Sequence, residues 1–313
     1  MDNITGFVGR AREADDALCA IRRGANVLIN GRAGIGKSAF LRHLNDQLKG
    51  GELPVVFVPA GTTKSSLLEL ARQIHERCGL AVPEAMLPPR TLARVRREGS
   101  LPWSDLVRPL RRLPVADTVE LLEGSLRRQR FLVLLETLEV PPSQAELFAV
   151  ILDCAQVVAC MDDANRRTRI ERLLWRFQAT VELKPLPLDD SRELAERWLN
   201  VRPLRFSDER TRDRFLRHVA QAGGGIPAAI RGMLEEADKE GEITPAKARS
   251  LYHQAGIRYV DMTPLLVVLL VIGMASRYIS RGLGDTQMLV LSGVATAIFM
   301  GLRFFFFQMR SRR

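Results

Sequence analysis

Residues 31–38 read GRAGIGKS, and this stretch constrains the fold more than any other part of the chain. It matches the pattern G-x-x-x-x-G-K-[ST] in full, with an apolar strand pattern before it at 25–30 and a helical pattern after it to about Leu48. Glycines allow backbone N–H groups to curl around phosphates without side-chain clashes, and the following helix N-terminus adds partial positive charge. The stretch therefore predicts a nucleotide-binding site in a fold of the α/β class.

We expect this loop to hold the phosphates of ATP together with Mg²⁺. Lys37 would supply positive charge to the β- and γ-phosphates, and the hydroxyl of Ser38 would be a ligand of the Mg²⁺ ion. The predicted nucleotide-binding residues of this stretch are Gly31, Gly34, Gly36, Lys37, Ser38 and Ala39.

Strand and helix patterns alternate through the first part of the chain. Short apolar runs predict five strands, at 25–30, 55–60, 131–136, 156–161 and 180–183, with a helix at 65–78. Strands separated by helices predict a parallel sheet that is covered on both faces. From Leu188 onward the patterns are helical only, at 190–200, 208–222, 227–239 and 245–254. We therefore expect a phosphate-loop core at 1–186 and a small helical lid at 187–257.

About 70 residues separate the second and third predicted strands, and this segment is rich in arginine and proline. We expect an inserted helical element at about 80–128. Its basic residues are Arg90, Arg94, Arg96, Arg97, Arg108, Arg111, Arg112, Arg127, Arg128 and Arg130. The positive charge is compatible with binding to anionic lipid or nucleic acid. It is equally compatible with a solvent-exposed face or a contact with another protein. Trp103 is the only aromatic residue of this segment, so base stacking has little support. Nucleic acid is therefore not the favoured partner.

The third predicted strand ends in a carboxylate, since residues 130–139 read RFLVLLETLE. ATP-hydrolysing enzymes of this class place an aspartate and then a glutamate there. In one alignment Glu136 takes the metal-side position and Thr137 replaces the catalytic base. In the other, Glu136 is the base and Leu135 replaces the aspartate.

We prefer the first alignment, because the apolar run then ends where a strand should end. Glu136 would then hold Mg²⁺ through a water molecule. Thr137 cannot serve as a carboxylate base, and Glu139 would substitute for it if the chain turned helical there. In both alignments one of two carboxylates is missing. We therefore expect a degenerate ATPase site, with hydrolysis that is slow or that depends on a residue from a neighbour.

Composition changes abruptly near residue 261. Two apolar runs, at about 262–279 and 288–307, are long enough to cross a membrane as helices, which predicts a transmembrane hairpin at 258–313. Basic residues gather at the outer ends of the hairpin: Lys247, Arg249, Arg258, Arg303, Arg310, Arg312 and Arg313. The positive-inside rule then places both termini and the ATPase domain in the cytoplasm, in agreement with an N-terminus that lacks an apolar signal core. We expect a multi-pass protein of the inner or plasma membrane.

The remaining composition narrows the chemistry. Four cysteines and four histidines are scattered, and their spacing matches no zinc site, disulfide framework or nucleophilic catalytic grouping. The net charge of +10 fits nucleotides, anionic lipid or nucleic acid as partners and selects none of them.

Three motifs together resemble a known group of ATPases. GFVGRARE at 6–13, the phosphate loop, and GGGIPAAI at 223–230 look like AAA+ and STAND-type ATPases, and most like those related to origin-recognition, transposition-helper and secretion-associated ATPases. The resemblance covers about 5–240. It implies that Phe7, Val8 and Gly9 lie beside the adenine of ATP.

The same resemblance implies roles for residues farther along the chain. Pro227 would approach the nucleotide from the lid, and Arg231, one turn later, would be a second sensor. Arg176, in RLLWRF before the fifth strand, would be an arginine finger. A polar sensor would follow the fourth strand, where the candidates are Asp162, Asp163 and Asn165.

These observations predict a membrane-anchored nucleotide switch that forms a homo-oligomer and acts on a protein partner, as in a bacterial defence or signalling system. ATP between core and lid would set the position of the lid and the assembly of protomers. One competing hypothesis is an active AAA+ motor that remodels a protein or nucleic-acid complex at the membrane. Another is a scaffold in which the nucleotide is structural.

Overall fold

The computed structural model describes residues 7–51, 53–99, 101–162, 171–240 and 242–243, which all belong to one compact unit, Met1–Gly256. The predicted transmembrane runs, the predicted helix at 245–254 and the sensor candidates Asp163 and Asn165 lie outside the described residues. Within the described ranges, no helix has the length and apolar character needed to cross a membrane.

The core is a five-stranded sheet. Its strands are β1 Val27–Gly31, β2 Val55–Val58, β3 Leu132–Leu135, β4 Gln156–Asp162 and β5 Ala179–Glu182. They pair in the order β2-β3-β4-β1-β5, and all four pairings are parallel. The prediction of an α/β fold with a parallel sheet is confirmed.

Side chains alternate between the two faces of this sheet, and each face has its own core. On one face Val27 and Ile29 pack with α1 Ala11–Arg22 and α2 Lys37–Leu48. On the other, Leu28 packs with α3 Thr63–Cys78, α6 Val115–Leu126 and α7 Ala145–Cys154. The interior strand β1, which lies between β4 and β5, is buried along its whole length, as expected for a strand covered on both faces.

The arginine-rich segment is helical. Between α3 and β3 it forms a 3-10 turn, Glu84–Met86, followed by α4 Pro89–Glu98, α5 Trp103–Arg112 and α6. The buried side chains of Leu106 and Leu110, which are less than 2% exposed, attach α5 to the core, and the arginines lie on the outside. A second 3-10 turn, Pro142–Gln144, precedes α7.

The lid follows β5 and has a core of its own. After the short helix α8 Glu171–Leu174 and β5 come α9 Leu188–Val201, α10 Glu209–Ala222 and α11 Pro227–Glu240. Trp198 and Phe215 are buried at the centre of these three helices. A two-stranded ladder of β6 Arg205–Phe206 and β7 Glu242–Ile243 completes the lid.

Candidate functional site

The phosphate loop adopts a conformation that requires glycine. Gly34 and Gly36 have φ of 76° and 97°, a region that other residues rarely adopt. A Cβ on Gly34 would lie 2.8 Å from the Cβ of Ala228 in the lid. At the end of the loop Gly36 caps α2 without a side-chain hydrogen bond, so the first N–H groups of α2 have no side-chain acceptor at the cap. Such N–H groups form an anion site.

Lys37 lies inside this loop with its ammonium surrounded by oxygens. Its Nζ donates to the carbonyls of Gly31 at 2.8 Å and Arg32 at 2.9 Å, and forms an ion pair with Asp162 at the end of β4. Beneath the loop, the thiol of Cys160 faces the carbonyl of Lys37, and burial raises the pKa of this thiol. Of the three sensor candidates after the fourth strand, Asp162 therefore faces the phosphate loop.

Glu136 follows β3 directly, and both of its carboxylate oxygens are engaged. Its Oε1 accepts from Nη2 of Arg42 at 2.9 Å, and its Oε2 accepts from the backbone N–H of Ala60 at 3.0 Å. The side chain is only 8% exposed, so the arginine supplies the positive charge that a buried carboxylate needs. Sequence reasoning identified Glu136 but not Arg42.

Thr137 and Glu139 lie beyond the strand in a segment without regular secondary structure. No helix or turn begins before the 3-10 turn at Pro142, so the helical turn on which the role of Glu139 depended is absent. Glu139 is exposed, and it lines an outer groove together with Thr137. The prediction that Glu139 replaces a missing base therefore loses its structural premise.

A pocket between the phosphate loop and the lid gathers the residues predicted to hold adenine. Its walls include Phe7, Val8, Gly36, Ala39, Pro227 and Arg231, and its apolar lid side includes Leu194 and Trp198. The ring of Phe7 stacks on His43 of α2 with 4.1 Å between centroids. Nη1 of Arg197 in α9 donates to the carbonyl of Phe7 at 3.3 Å. The N-terminal segment, the loop and the lid thus meet around one concave site.

Backbone hydrogen bonds join the lid to the loop. The N–H of Ala228, in the first turn of α11, donates to the carbonyl of Gly34 at 3.1 Å. The carbonyl of Gly225, just before α11, accepts from the N–H of Leu186 at 2.8 Å. Gly225 has φ of 72°, and a Cβ there would lie 2.4 Å from the carbonyl of Leu186. The GGGIP segment therefore positions α11 against the nucleotide site.

Arg10 is a buried cation under the loop. It is 9% exposed, and its Nη2 donates to the carbonyls of Ile35 at 2.7 Å and Lys184 at 3.2 Å. Burial lowers the pKa of Arg10, and the charges of Glu13 and Asp190 oppose this shift. Its Nε has no hydrogen-bond partner in the described part of the chain. Arg10 belongs to the motif GFVGRARE, but the motif alone did not indicate a role for this arginine.

Arg176 lies at the opposite end of the sheet from the phosphate loop. The N–H groups of Gln178 and Ala179 donate to the carbonyl of Asn26, the residue before β1, whereas the loop follows β1. The guanidinium of Arg176 pairs with Asp153 at the end of α7. Arg231 lines the pocket beside the phosphate loop. Arg176 lies far from the phosphate loop of its own chain.

The residues present fit a nucleoside triphosphate. The left-handed glycines, the uncapped N-terminus of α2 and Lys37 form a cradle for phosphates, and the adjoining pocket has the apolar walls that a planar base would contact. Among the described residues, no group of three or more His, Cys, Asp and Glu side chains could hold a metal by itself. Ser38 and Glu136 remain the Mg²⁺ candidates, and the phosphates would supply most of the other ligands.

Of the solved structures that the chain resembles, the first described below shows the same fold. The ORC1 protein of Aeropyrum pernix, solved in complex with DNA, is 15% identical over 89% of this chain and 74% of that chain, with a TM-score of 0.52. A Walker-type ATPase of Pyrococcus abyssi is 15% identical over 88% and 76%, with a TM-score of 0.49. The RuvB Holliday junction branch migration motor of Thermotoga maritima is 13% identical over 89% and 83%, with a TM-score of 0.40.

Among curated proteins, none matches the sequence. The model of one protein family, described as AAA ATPase domain, matches residues 6–254, which span the N-terminal motif, the phosphate loop and the lid. The chain belongs to the AAA ATPase domain family, whose members bind nucleotides, usually with Mg²⁺.

Proposed function

We propose that this chain is a membrane-anchored switch of the STAND type that binds ATP with Mg²⁺ and hydrolyses it slowly or only with a partner. The observation that carries the proposal is the arrangement after β3. Both oxygens of Glu136 are engaged by Arg42 and Ala60, and Thr137 stands next to it. Thr137 is not a carboxylate, and Glu139 is exposed in the outer groove, so neither of these two residues after β3 is placed to act as a general base.

The lid supports a switching role. The N–H of Ala228, at the start of α11, donates to the carbonyl of Gly34. A change in the conformation of the phosphate loop on nucleotide binding would therefore move the start of α11. Phe7, Pro227 and Arg231 line the same pocket, so a bound nucleotide would bridge the core and the lid. We propose that the lid passes this state to the apolar segment at 258–313.

Assembly into a homo-oligomer is part of the proposal. Arg176 lies at the far end of the sheet from its own phosphate loop, so a role for it in nucleotide chemistry needs a second copy. A residue from a neighbouring copy would also replace the catalytic carboxylate that is missing after β3. We propose that hydrolysis, where it occurs, depends on this neighbour.

The cellular setting is proposed from the sequence. The apolar runs at about 262–279 and 288–307, with basic outer ends, favour anchoring in the inner or plasma membrane with the ATPase domain in the cytoplasm. A switch that turns over little ATP must deliver its output by contact. We therefore propose a protein partner in a defence or signalling system, and we do not expect nucleic acid to be the partner.

The test is ATP binding, steady-state turnover and oligomer size for the full-length protein in detergent. Tight, Lys37-dependent binding with turnover below about 1 per second, the low end of ordinary enzymes, is expected. A nucleotide-dependent change in oligomer size is also expected, and its absence would favour the scaffold. Turnover well above that rate would overturn the switch with slow hydrolysis.

One observation favours the motor as a second candidate. Asp162 places a carboxylate on Lys37, next to the phosphate loop. If Lys37 turned to the phosphates, this carboxylate would be released close to the site of hydrolysis. Fast turnover that is lost in Asp162→Asn and kept in Asp162→Glu would support the motor.

A further inference from the structure

Strand β2 forms one edge of the sheet, so one side of its backbone faces away from the other described strands. On the inner side, the carbonyl of Val58 accepts from the N–H of Glu136 at 2.9 Å. Because peptide groups alternate between the two sides of a strand, Val55 and Phe57 direct their N–H and C=O groups outward. An outward row of such groups is a template for a strand from another molecule.

The composition and surroundings of this edge favour pairing with a second copy of the chain. Residues 55–58 read VVFV, an uncharged run of β-branched and aromatic residues, which favour strands. A groove with a volume of about 410 Å³ borders Val55, Phe57 and Gln73, so there is open space next to this side of the strand. Two identical edges can pair about a two-fold axis, which makes the edge complementary to itself.

The side chain of Gln73, in α3, occupies the outward peptide groups of Phe57. Its Oε1 accepts from the N–H of Phe57 at 3.1 Å, and its Nε2 donates to the carbonyl of Phe57 at 2.5 Å. These are the two hydrogen bonds that a residue of an antiparallel neighbouring strand would exchange with Phe57. The amide group of Gln73 therefore takes the place of a further strand.

Glu69 and Arg72 hold this amide in one orientation. Nε2 of Gln73 also donates to Oε1 of Glu69 at 2.8 Å, and Nε and Nη2 of Arg72 donate to the two oxygens of Glu69 at 2.9 Å and 2.5 Å. The hydrogen bond from Arg72 lowers the pKa of Glu69, so this carboxylate is charged at neutral pH and can only accept. A reversed amide would point its oxygen at two acceptors, and the contact between Gln73 and Phe57 is therefore fixed.

Very little of the outer edge is left for another strand when Gln73 is in place. Within 55–59 the outward N–H groups belong to Val55 and Phe57, because the next outward residue, Pro59, has no N–H. With Phe57 occupied, Val55 is the residue of this stretch that could still donate to a strand from outside. Even a complete pair of short strands is only marginally stable, so pairing through Val55 alone is not expected.

We propose that the outer edge of β2 is a surface that fits the β2 strand of a second copy in antiparallel pairing, and that Gln73 keeps this surface closed. The inference concerns the edge of the sheet and does not depend on the proposed nucleotide switch. It implies that copies of the chain assemble through other surfaces as long as Gln73 holds Phe57.

The test uses two variants of the full-length protein in detergent without nucleotide. Gln73→Met keeps the length of the side chain but removes its amide, and Gln73→Asn keeps the amide on a side chain that is shorter and cannot reach Phe57. Gln221→Met, at an exposed glutamine of α10, is the matched control. Light scattering over a range of concentrations measures particle size. Hydrogen–deuterium exchange of the peptide 54–60 measures the protection of the N–H of Phe57.

We expect both Gln73 variants to self-associate about tenfold or more tightly than the wild type and the control, since paired edges add several backbone hydrogen bonds. At low concentration the peptide should take up about one more deuteron than in the wild type, and at high concentration the protection should return. Association of Gln73→Met without association of Gln73→Asn would overturn the inference, because the added apolar side chain and not the open edge would be the cause. Unchanged particle size or unchanged exchange in both variants would overturn it as well.

Adding Val55→Pro to Gln73→Asn tests the route of association. The proline removes the outward N–H of Val55 and breaks no hydrogen bond to β3, and proline is tolerated at the first residue of an edge strand. We expect the double variant to return to the particle size of the wild type. Association that persists in the double variant would place the contact elsewhere and contradict pairing through β2.

Discussion

On the adenine side of the nucleotide site, backbone hydrogen bonds hold the lid against the phosphate loop, whereas on the β3 side a buried carboxylate is held by an arginine and a backbone amide. The first arrangement leaves an open apolar pocket whose walls come from three parts of the chain. The second leaves Glu136 with both oxygens engaged and Thr137 beside it. The difference is that three parts of the chain converge on the adenine side, whereas the β3 side presents one carboxylate, which is already engaged.

The largest expected effect is the loss of binding in Lys37→Ala. Charge-assisted hydrogen bonds contribute about 1.5–3 kcal/mol each, so removing the ammonium should weaken ATP binding about 100-fold or more. Calorimetric titration of the full-length protein measures this. Lys49→Ala, on the exposed end of the same helix, is the control and should bind like the wild type. Equal affinity of Lys37→Ala and wild type would contradict the assignment of the loop.

Thr137→Glu should raise the rate of ATP hydrolysis, because it places a carboxylate next to Glu136. A positioned general base contributes about 10²–10⁴-fold, and a base on an imperfectly placed segment should still raise turnover roughly tenfold. Phosphate release under saturating ATP measures the change. Thr137→Gln has the same length without a base and should leave turnover as it is. A rise in both variants would show that size, not the carboxylate, limits the reaction.

Phe7→Ala should weaken only the contacts with the adenine of ATP and leave the binding of phosphates unchanged. Aromatic stacking contributes about 0.5–1.5 kcal/mol, so ATP affinity should fall about three- to tenfold. Affinity for inorganic triphosphate, which lacks a base, should not change. If triphosphate binding fell by the same factor, Phe7 would be supporting the loop and not the base.

Arg42→Leu should have the smallest effect of the four variants. It should lower the stability of the fold around Glu136, on the β3 side of the site. It leaves Glu136 without its cation, but the side chain of Arg42 is 42% exposed, so solvent screening reduces the penalty to about 1–2 kcal/mol. Thermal unfolding should shift down by a few degrees, and ATP with Mg²⁺ should restore more of the loss than ATP with EDTA. Equal restoration under both conditions would argue against Glu136 as a magnesium-side residue.

Local patterns predicted much of the fold. Each of the five predicted strands is present within two residues of its observed ends, and the three lid helices in the described range agree equally well. Their signals are local, since they consist of apolar runs, end signals and the phosphate-loop motif. The order of the strands and the helix α1 were not predicted, because no single segment encodes which strands become neighbours.

The site shows the same division. The loop, Phe7 and Pro227 were recognisable from motifs, and they meet in one pocket. The partners of Glu136 were not recognisable, since Arg42 lies 94 residues away and reaches it only because β1 and β3 flank the same strand. The position of Asp162 next to the phosphate loop likewise depends on the register of β4 against β1, which pairs Asp162 with Gly31.

The strand β5 has a consequence for how copies of this protein stay separate. It is four residues long at one edge of the sheet, its outward residues Thr180 and Glu182 are exposed, and Pro185 and Pro187 follow it. A short edge with a charge and nearby prolines is a poor template for a strand from another molecule. Pairing of β5 with an edge strand of another copy is therefore disfavoured. This should reduce aggregation where many copies of the protein lie close together.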